Sequence, residues 1–196
     1  MTDSAPDKTA LRAEAERRRA AARAAHPYGG DTASALFPPA LIPPPGAVVS
    51  GYHPFRSEID PRPLMRRLAR AGCRLALPVT PAAGTSEPLS FRLWSPERPC
   101  APGRYAIPEP DVSGEAVGPD LLLVPLLAFD RRGHRLGYGA GWFDRTLAAL
   151  RALKPVTAVG LAWAAQEAER VPTDPWDQPL DGIVTERAWI PARKDD

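Results

Sequence analysis

Residues 135–145, RLGYGAGWFDR, combine a bare backbone with charged side chains. Glycines at positions 137, 139 and 141 can adopt conformations closed to other residues and expose amide N–H groups without side chains in front of them. A predicted helix begins near Gly141, so its unpaired N–H groups and its dipole add to the attraction for an oxyanion. Arg135 supplies a positive charge beside them. The segment therefore predicts a cradle for phosphate.

The glycine segment has a second interpretation. It matches neither the GxxxxGK[ST] loop nor the dinucleotide fingerprint, and a hairpin packed closely against a neighbouring strand would need the same glycines.

Asp144 falls in the first turn of the predicted helix, where the dipole alone stabilises a carboxylate, yet beside phosphate it would also hold magnesium. Asp181 precedes the predicted strand GIVTE. It either approaches the same magnesium ion from the side opposite Asp144 or serves as a turn residue.

The remaining reactive residues argue against covalent catalysis and against a zinc site. His26, His53 and His134 form no ligand pair at metal spacing, and no serine or cysteine lies in a nucleophile motif. Cys73 and Cys100 match no metal or redox spacing and are interpreted as reduced thiols. Phosphate binders without a protein nucleophile fit phosphoryl transfer, in which positioning and charge neutralisation supply most of the rate.

Composition predicts one domain, residues 1–196. A chain of 196 residues with 44% hydrophobic and 24% charged content can bury a substantial core. A formal net charge of +2 is too small to favour nucleic acid as a partner. No apolar run approaches the roughly 18 residues of a membrane span, and the N-terminus lacks the layout of a signal peptide. We therefore expect a cytoplasmic monomer that binds neither nucleic acid nor membrane.

Predicted helices and strands alternate, which favours an α/β fold with a mostly parallel sheet and helices on both faces. Residues 8–25 predict a basic helix on which Lys8 and Arg12 share a face, either to hold an anion or as part of a solvated surface. Further helices are predicted over 60–72 and 142–153, and a stiff extended connector over 36–46. The predicted strands are AVVSGY (47–52), CRLALPV (73–79), LSFRLW (89–94), DLLLVPLLAF (120–129), VTAVGLAW (156–163) and DGIVTERAWI (181–190).

The stretch LLLVPLLAFDRRGHRLGYGAGWFDR resembles the signature of 5-formyltetrahydrofolate cyclo-ligases, also called 5,10-methenyltetrahydrofolate synthetases. Further blocks resemble this family in the expected order: KTALR, YHPFRSEID, CRLALP, GRYAIPEP and VGLAWAAQEAERVPTDPWDQPLDGIVTE. The resemblance implies an α/β fold and ATP-dependent conversion of 5-formyltetrahydrofolate to 5,10-methenyltetrahydrofolate, with magnesium required. It also implies that the γ-phosphoryl group of ATP is placed on the formyl oxygen, after which a folate nitrogen attacks the formyl carbon and phosphate departs.

The resemblance also implies roles for individual residues. The catalytic cations are Lys8 and Arg135. The ATP-binding residues are Lys8, Arg12, Arg135, Leu136, Gly137, Tyr138, Gly139, Ala140, Gly141, Trp142 and Phe143. The folate-binding residues are His53, Glu58, Tyr138 and Trp142, with the Glu58 carboxylate accepting from N–H donors of the pterin. Asp144 and Asp181 contact Mg²⁺, and ATP is the co-substrate.

The sequence departs from the family pattern inside the glycine segment. Phe143 stands where the family commonly has tyrosine, Trp142 beside it is unusual, and Ala140 replaces a common glycine. A lost phenol would cost about 0.5–1.5 kcal/mol if it only orients substrate. If it is essential, the chain is a weak folate or nucleotide binder. A third alternative is an enzyme for another formylated or phosphorylated small molecule. Arginines 17–19 either meet a polyglutamate tail or remain solvated.

Overall fold

The structure is a computed structural model in which residues 8–193 are described. Its helices are α1 (Lys8–Ala25), α2 (Gly29–Leu36), α3 (Arg62–Arg70) and α4 (Trp142–Leu153). Its strands are β1 (Val48–Ser50), β2 (Arg74–Val79), β3 (Ser90–Leu93), β4 (Ala101–Pro102), β5 (Pro108–Glu109), β6 (Leu121–Pro125), β7 (Ala128–Phe129), β8 (Arg135–Leu136), β9 (Thr157–Leu161), β10 (Gly182–Val184) and β11 (Trp189–Pro191). Residues 1–7 and 194–196 of the predicted domain lie outside the described residues. Within residues 8–193, no helix has the length and apolar character that a membrane crossing requires.

Seven strands form the central sheet in the order β11-β10-β9-β6-β1-β2-β3. The five inner strands pair in parallel, and the two edge strands β3 and β11 pair antiparallel with their neighbours. Strand β6 occupies the centre with the sequence LLLVP, an apolar run typical of a strand covered on both faces. The predicted α/β fold with a mostly parallel sheet is confirmed.

The side chains of β6 alternate between two hydrophobic clusters, one on each face of the sheet. Leu123 packs in the cluster that contains Ala33 of α2 and Leu64 of α3. Leu122 packs in the opposite cluster, which contains Leu147 of α4. Each fully buried leucine contributes about 1.5–3 kcal/mol relative to an exposed one. Helices therefore cover both faces, as the alternation of elements predicts.

Three elements differ from the sequence prediction. The apolar run 120–129 is not one strand, because β6 ends at Pro125 and the chain turns into the separate β7–β8 hairpin. Residues 181–190 likewise form parts of two antiparallel strands, β10 and β11. Helix α2 was not predicted, since its two glycines lower its intrinsic helix propensity. Close packing requires both of them, because a β-carbon on Gly29 would lie 2.0 Å from the ring of Trp163 and one on Gly30 would lie 2.5 Å from the carbonyl oxygen of Asp60.

The tight turn after β7 is organised by Asp130, whose side chain is fully buried. Its carboxylate accepts hydrogen bonds from the backbone N–H groups of Arg132 at 2.9 Å and Val171 at 3.0 Å. Gly133 in this turn has a φ of 83°, and a β-carbon there would lie 2.4 Å from the carbonyl oxygen of Leu180. The turn thus fixes the hairpin that leads into the glycine segment.

Replacing Gly133 by alanine should destabilise the fold more than the same change at Gly84, which has a similar φ of 80° but nothing within 4 Å of its β-carbon. We expect Gly84→Ala to lower the free energy of unfolding by about 1 kcal/mol, the cost of a left-handed conformation. Gly133→Ala should lower it by about 3 kcal/mol, because the backbone contact adds an overpacking cost. Urea unfolding measures both, and equal losses would contradict the close approach.

Candidate functional site

A cleft of about 490 Å³ lies at the carboxyl ends of three neighbouring parallel strands. Tyr52 follows β1, Thr80 follows β2, and Pro125 ends β6, and all three line the cleft. In open α/β sheets, ligands bind beyond the carboxyl ends of the strands, where the loops of neighbouring strands diverge. The position of the cleft therefore makes it the candidate site.

Fourteen of the predicted site residues line this cleft, and one does not. Those that line it are Lys8, Arg12, His53, Glu58, Arg135, Leu136, Gly137, Tyr138, Gly139, Ala140, Gly141, Trp142, Phe143 and Asp144. They come from α1, from the segment after β1, and from the chain between β8 and the first turn of α4. The tertiary structure thus brings together residues that are far apart in the sequence.

The glycine loop, residues 137–141, opens toward the cleft. Gly139 and Gly141 have φ values of 101° and 66°, in the left-handed region that favours glycine. A β-carbon on Gly137 would meet nothing within 4 Å, so a glycine at this position is not required by close packing against another strand. Gly141 is the residue before α4, whose first N–H groups therefore face the loop. This geometry favours the phosphate-cradle interpretation over the packed hairpin.

Cations surround the glycine loop, and each contacts an acceptor of the protein. Nε of Arg12 donates to the carbonyl oxygen of Gly137 at 3.0 Å. Nζ of Lys8 lies 2.6 Å from Oδ2 of Asp174, and Nη2 of Arg135 lies 2.7 Å from Oδ1 of Asp144. A phosphate that enters the cleft must compete with these carboxylates.

The segment 171–178 closes one side of the cleft. The backbone N–H of Gln178 donates to Oδ1 of Asp144 at 3.0 Å, and its carbonyl oxygen accepts from Nη1 of Arg135. Asp174 and Asp177 both line the cleft, and Oδ2 of Asp177 accepts from the N–H of Asp174 at 2.8 Å. Sequence reasoning missed these two aspartates, although both lie in the quoted block VPTDPWDQPLD.

The structure does not bring Asp181 to the cleft. Its Oδ2 accepts from the backbone N–H of Ala158 at 2.7 Å and lies 3.3 Å from Nη2 of Arg151. Asp181 thus joins the chain before β10 to β9 and α4, the structural role that the sequence left open. In the part of the chain that the structure describes, no group of three or more His, Cys, Asp or Glu side chains is placed to hold a metal ion.

Glu58 and His53 line the wall of the cleft that faces the glycine loop. The Glu58 side chain is 7% exposed, and its Oε2 accepts from the backbone N–H of Phe55 at 2.8 Å. Burial raises the pKa of Glu58 from 4.5 to about 7, against the opposing effects of the Phe55 hydrogen bond and the charge of Arg19. Burial lowers the pKa of His53, whose ring packs edge-on against Trp94 at a centroid distance of 5.9 Å.

Aromatic rings extend the cleft on its outer side. The rings of Tyr105 and Trp142 are 6.2 Å apart, and the guanidinium of Arg104 lies 5.8 Å from the centre of the Trp142 ring. Tyr105 and Ala106 have φ values of 60° and 57°, a conformation that is costly for residues with a β-carbon. Tyr105 was not predicted as a site residue, although it lies in the quoted block GRYAIPEP. The strained backbone holds an exposed ring beside Trp142.

Over most of its length, the chain is similar to members of a known protein family. Residues 5–186 match the model of the 5-formyltetrahydrofolate cyclo-ligase family. The protein named 5-formyltetrahydrofolate cyclo-ligase in Escherichia coli K12 is 36% identical to this chain, and the match covers 76% of this chain and 81% of that protein. The protein of the same name in Mycolicibacterium smegmatis is also 36% identical, and the match covers 75% of this chain and 77% of that protein. The solved structure of 5,10-methenyltetrahydrofolate synthetase from Aquifex aeolicus is 30% identical, with a TM-score of 0.68 over 96% of this chain and 94% of that one.

Glu58→Gln should change how stability depends on pH. The pKa of Glu58 is higher in the folded state than in the unfolded state, so protonation of Glu58 stabilises the fold. This contribution to the free energy of unfolding is fully present below pH 4.5 and is lost as the pH rises to about 7. The glutamine variant has no charge to bury, so its stability relative to wild type should increase over this window by roughly 2–3 kcal/mol. Urea unfolding across the window measures it, with exposed Glu87→Gln as the control. A constant difference between Glu58→Gln and wild type would contradict the raised pKa.

Proposed function

Because the chain belongs to the 5-formyltetrahydrofolate cyclo-ligase family, we propose that it converts 5-formyltetrahydrofolate to 5,10-methenyltetrahydrofolate with ATP as co-substrate. One observation carries the proposal. A single cleft is lined on one side by the glycine loop with its cations and on the other by the buried carboxylate of Glu58. Two substrates of different chemistry, a triphosphate and a reduced pterin, can therefore meet there.

The glycine loop and its cations are the nucleotide side. Exposed amides of the loop and of the first turn of α4 can donate to phosphate oxygens, with the helix dipole adding to the attraction. Arg12 already touches the loop through the Gly137 carbonyl oxygen, and Lys8 lies at the cleft on the same face of α1. Lys8 can exchange the Asp174 carboxylate for a phosphate oxygen, since both are anionic acceptors.

Glu58 is the folate side. Its carboxylate accepts one hydrogen bond from Phe55 and retains acceptor capacity for the N–H donors of a pterin. His53 and Tyr138 flank it in the same cleft. Tyr105 and Trp142 offer ring faces to the rest of the substrate, which is the kind of mostly apolar lining that ligand pockets share.

Asp144 and Asp177 fit a magnesium ion that arrives with ATP. Both are oxygen donors in the cleft close to Arg135, and Mg²⁺ is usually held by one or two carboxylates together with substrate phosphates and water. When bound there, the ion would neutralise charge on the phosphates. Asp181 is replaced by Asp177 in this proposal.

The reaction needs positioning more than protein chemistry. The formyl oxygen attacks the γ-phosphorus and ADP leaves, the second folate nitrogen then attacks the formyl carbon, and inorganic phosphate departs as that nitrogen loses its proton. Lys8, Arg12 and Arg135 would offset the negative charge of the transferring group, and the loop amides would fix its orientation. No serine or cysteine nucleophile is required.

The second candidate is a binder that turns over slowly or not at all. Phe143 lines the cleft without a hydroxyl group and packs partly buried against the core on the α4 side. If the phenol of the family's usual tyrosine took part in a proton transfer, this chain would bind both ligands without completing the reaction.

Purified protein mixed with 5-formyltetrahydrofolate and MgATP should produce the near-ultraviolet absorbance of the methenyl product. The increase should require ATP and should not occur with a non-hydrolysable analogue, because the formyl oxygen must be phosphorylated. Calorimetric binding of both substrates without any product would favour the binder, and absence of folate binding would exclude both candidates.

Asp177→Asn and Asp181→Asn should separate the two aspartates. Asp177→Asn should raise the magnesium concentration needed for half-maximal rate by about tenfold, the effect of losing one charged contact of roughly 1.4 kcal/mol. Asp181→Asn should leave the magnesium dependence unchanged, because its carboxylate faces Ala158 and Arg151 instead of the cleft. Magnesium titrations at saturating ATP decide between them. A raised magnesium requirement in Asp181→Asn, with none in Asp177→Asn, would restore Asp181 as the metal contact.

A further inference from the structure

Arg19 is buried although it belongs to a run of three arginines on α1. Arg17 and Arg18 pair with Glu14 on the surface, as a solvated helix face does. Arg19 turns inward instead and is 1% exposed. Neither expectation from the sequence, a polyglutamate contact or a solvated charge, describes it. A buried guanidinium is costly unless its charge and its donors are used, so its partners are informative.

The guanidinium of Arg19 joins the two sides of the cleft. Its Nε donates to Oγ of Ser57 at 3.0 Å, and its Nη2 donates to the hydroxyl oxygen of Tyr138. Its Cζ lies 5.5 Å from the centre of the Tyr138 ring, and its Nη1 lies 3.6 Å from Oε1 of Glu58. Glu58 and Tyr138 line the cleft, so Arg19 contacts both of them from behind the cleft wall.

One donor of Arg19 is not used. Within residues 8–193, Nη1 has no hydrogen-bond partner although it is buried. At 3.6 Å it is close enough to Glu58 for a strong charge interaction but too far for a good hydrogen bond. A residue that served only to hold the fold together would be expected to satisfy its donors, since each buried unsatisfied donor is costly. The unused donor points to a role that involves Glu58.

We propose that Arg19 is a positioning residue that holds the folate-binding carboxylate of Glu58 and the ring of Tyr138 in the glycine loop in one arrangement. The inference rests on the proposed function and adds to it a group that touches neither substrate. Through Arg19, the folate side and the nucleotide side of the cleft are set by the same side chain. The positive charge of Arg19 also favours the ionised form of Glu58, the form that accepts two pterin N–H donors.

The groups that face Glu58 are Arg19 from α1, Tyr138 from the glycine loop and Tyr52 from the segment after β1. Burial raises the pKa of both tyrosines, so they stay neutral near pH 7 and Arg19 is the cation that opposes the protonation of Glu58. Burial already brings the pKa of Glu58 to about 7. Loss of the Arg19 charge should raise this pKa further, so the carboxylate would ionise only at higher pH.

The experiment compares Arg19→Met with the matched control Arg18→Met, which removes an arginine from the exposed face of the same helix. KM for 5-formyltetrahydrofolate, KM for ATP and kcat are measured as functions of pH. In wild type, kcat/KM for folate should rise through about pH 7, as the pKa of Glu58 requires. In Arg19→Met the midpoint should move up by about one pH unit, which raises the folate KM about fivefold at pH 7, where the Glu58 carboxyl group of wild type is already half protonated. Arg18→Met should match wild type.

Arg19→Lys tests charge apart from geometry. Lysine keeps the cation but cannot contact Ser57, Tyr138 and Glu58 at once, because it lacks the planar fork of arginine. We expect it to restore the wild-type midpoint while the folate KM stays raised several-fold. If Arg19→Met does not fold, as judged by circular dichroism, Arg19→Lys and Tyr138→Phe replace it. These two changes should be non-additive in their effect on the folate KM, because each breaks the same contact.

The outcomes separate this inference from the proposed function. If wild type turns over and Arg19→Met keeps the wild-type pH midpoint of kcat/KM for folate, the positioning role is wrong and the proposed function stands. If wild type does not turn over, calorimetric binding of 5-formyltetrahydrofolate over the same pH range replaces the kinetics. A midpoint shift in binding for Arg19→Met then supports the role of Arg19, and no shift or no binding overturns it.

Discussion

Every cation that α1 contributes to the cleft depends on how this helix packs against the rest of the chain. Lys8, Arg12, Ala15, Arg19 and Ala22 recur at helical spacing and share one face of α1. Ala15 packs among residues of the β7–β8 hairpin, and Ala22 packs in the core on the α3 side of the sheet. These small side chains let the helix approach closely, which carries the three cations to their positions. A shift of α1 would move all of them together.

Three cations in and behind the cleft wall lie beside carboxylates before any ligand binds. Lys8 faces Asp174, Arg135 faces Asp144, and Arg19 faces Glu58, and in the first and last pairs the two partners come from distant segments of the chain. Taking an isolated charge out of water costs several kcal/mol, so pairing is what allows cations and carboxylates to be concentrated in one partly buried space. At Lys8 and Arg135 an incoming phosphate therefore has to replace a carboxylate, whereas Arg12 contacts the carbonyl oxygen of Gly137.

Two departures from the family pattern have different consequences in this structure. Among the described residues, positive φ angles outside glycine occur at Arg56, Tyr105 and Ala106, so Ala140 adopts an ordinary conformation and its β-carbon causes no backbone strain. Trp142 begins α4 and packs beside Tyr105 and Arg104, so its indole ring is accommodated at the edge of the cleft. Ala140 thus adds no backbone strain to the glycine loop, whereas Phe143 lacks the hydroxyl group of the family's usual tyrosine.

The sequence by itself determined the fold class, the basic helix α1 and the glycine loop, because these depend on local periodicity and on conformations that only glycine adopts easily. It did not determine α2, whose glycines oppose a helix and are explained only by close contacts with the ring of Trp163 and the carbonyl oxygen of Asp60. It also could not choose among Asp174, Asp177 and Asp181, since all three lie within one short block and only the path of the chain decides which of them face the cleft. Arg17, Arg18 and Arg19 are chemically identical in the sequence. Tertiary packing alone buried Arg19 against Glu58 and Tyr138, because the face of a helix that turns inward is set by what the helix packs against.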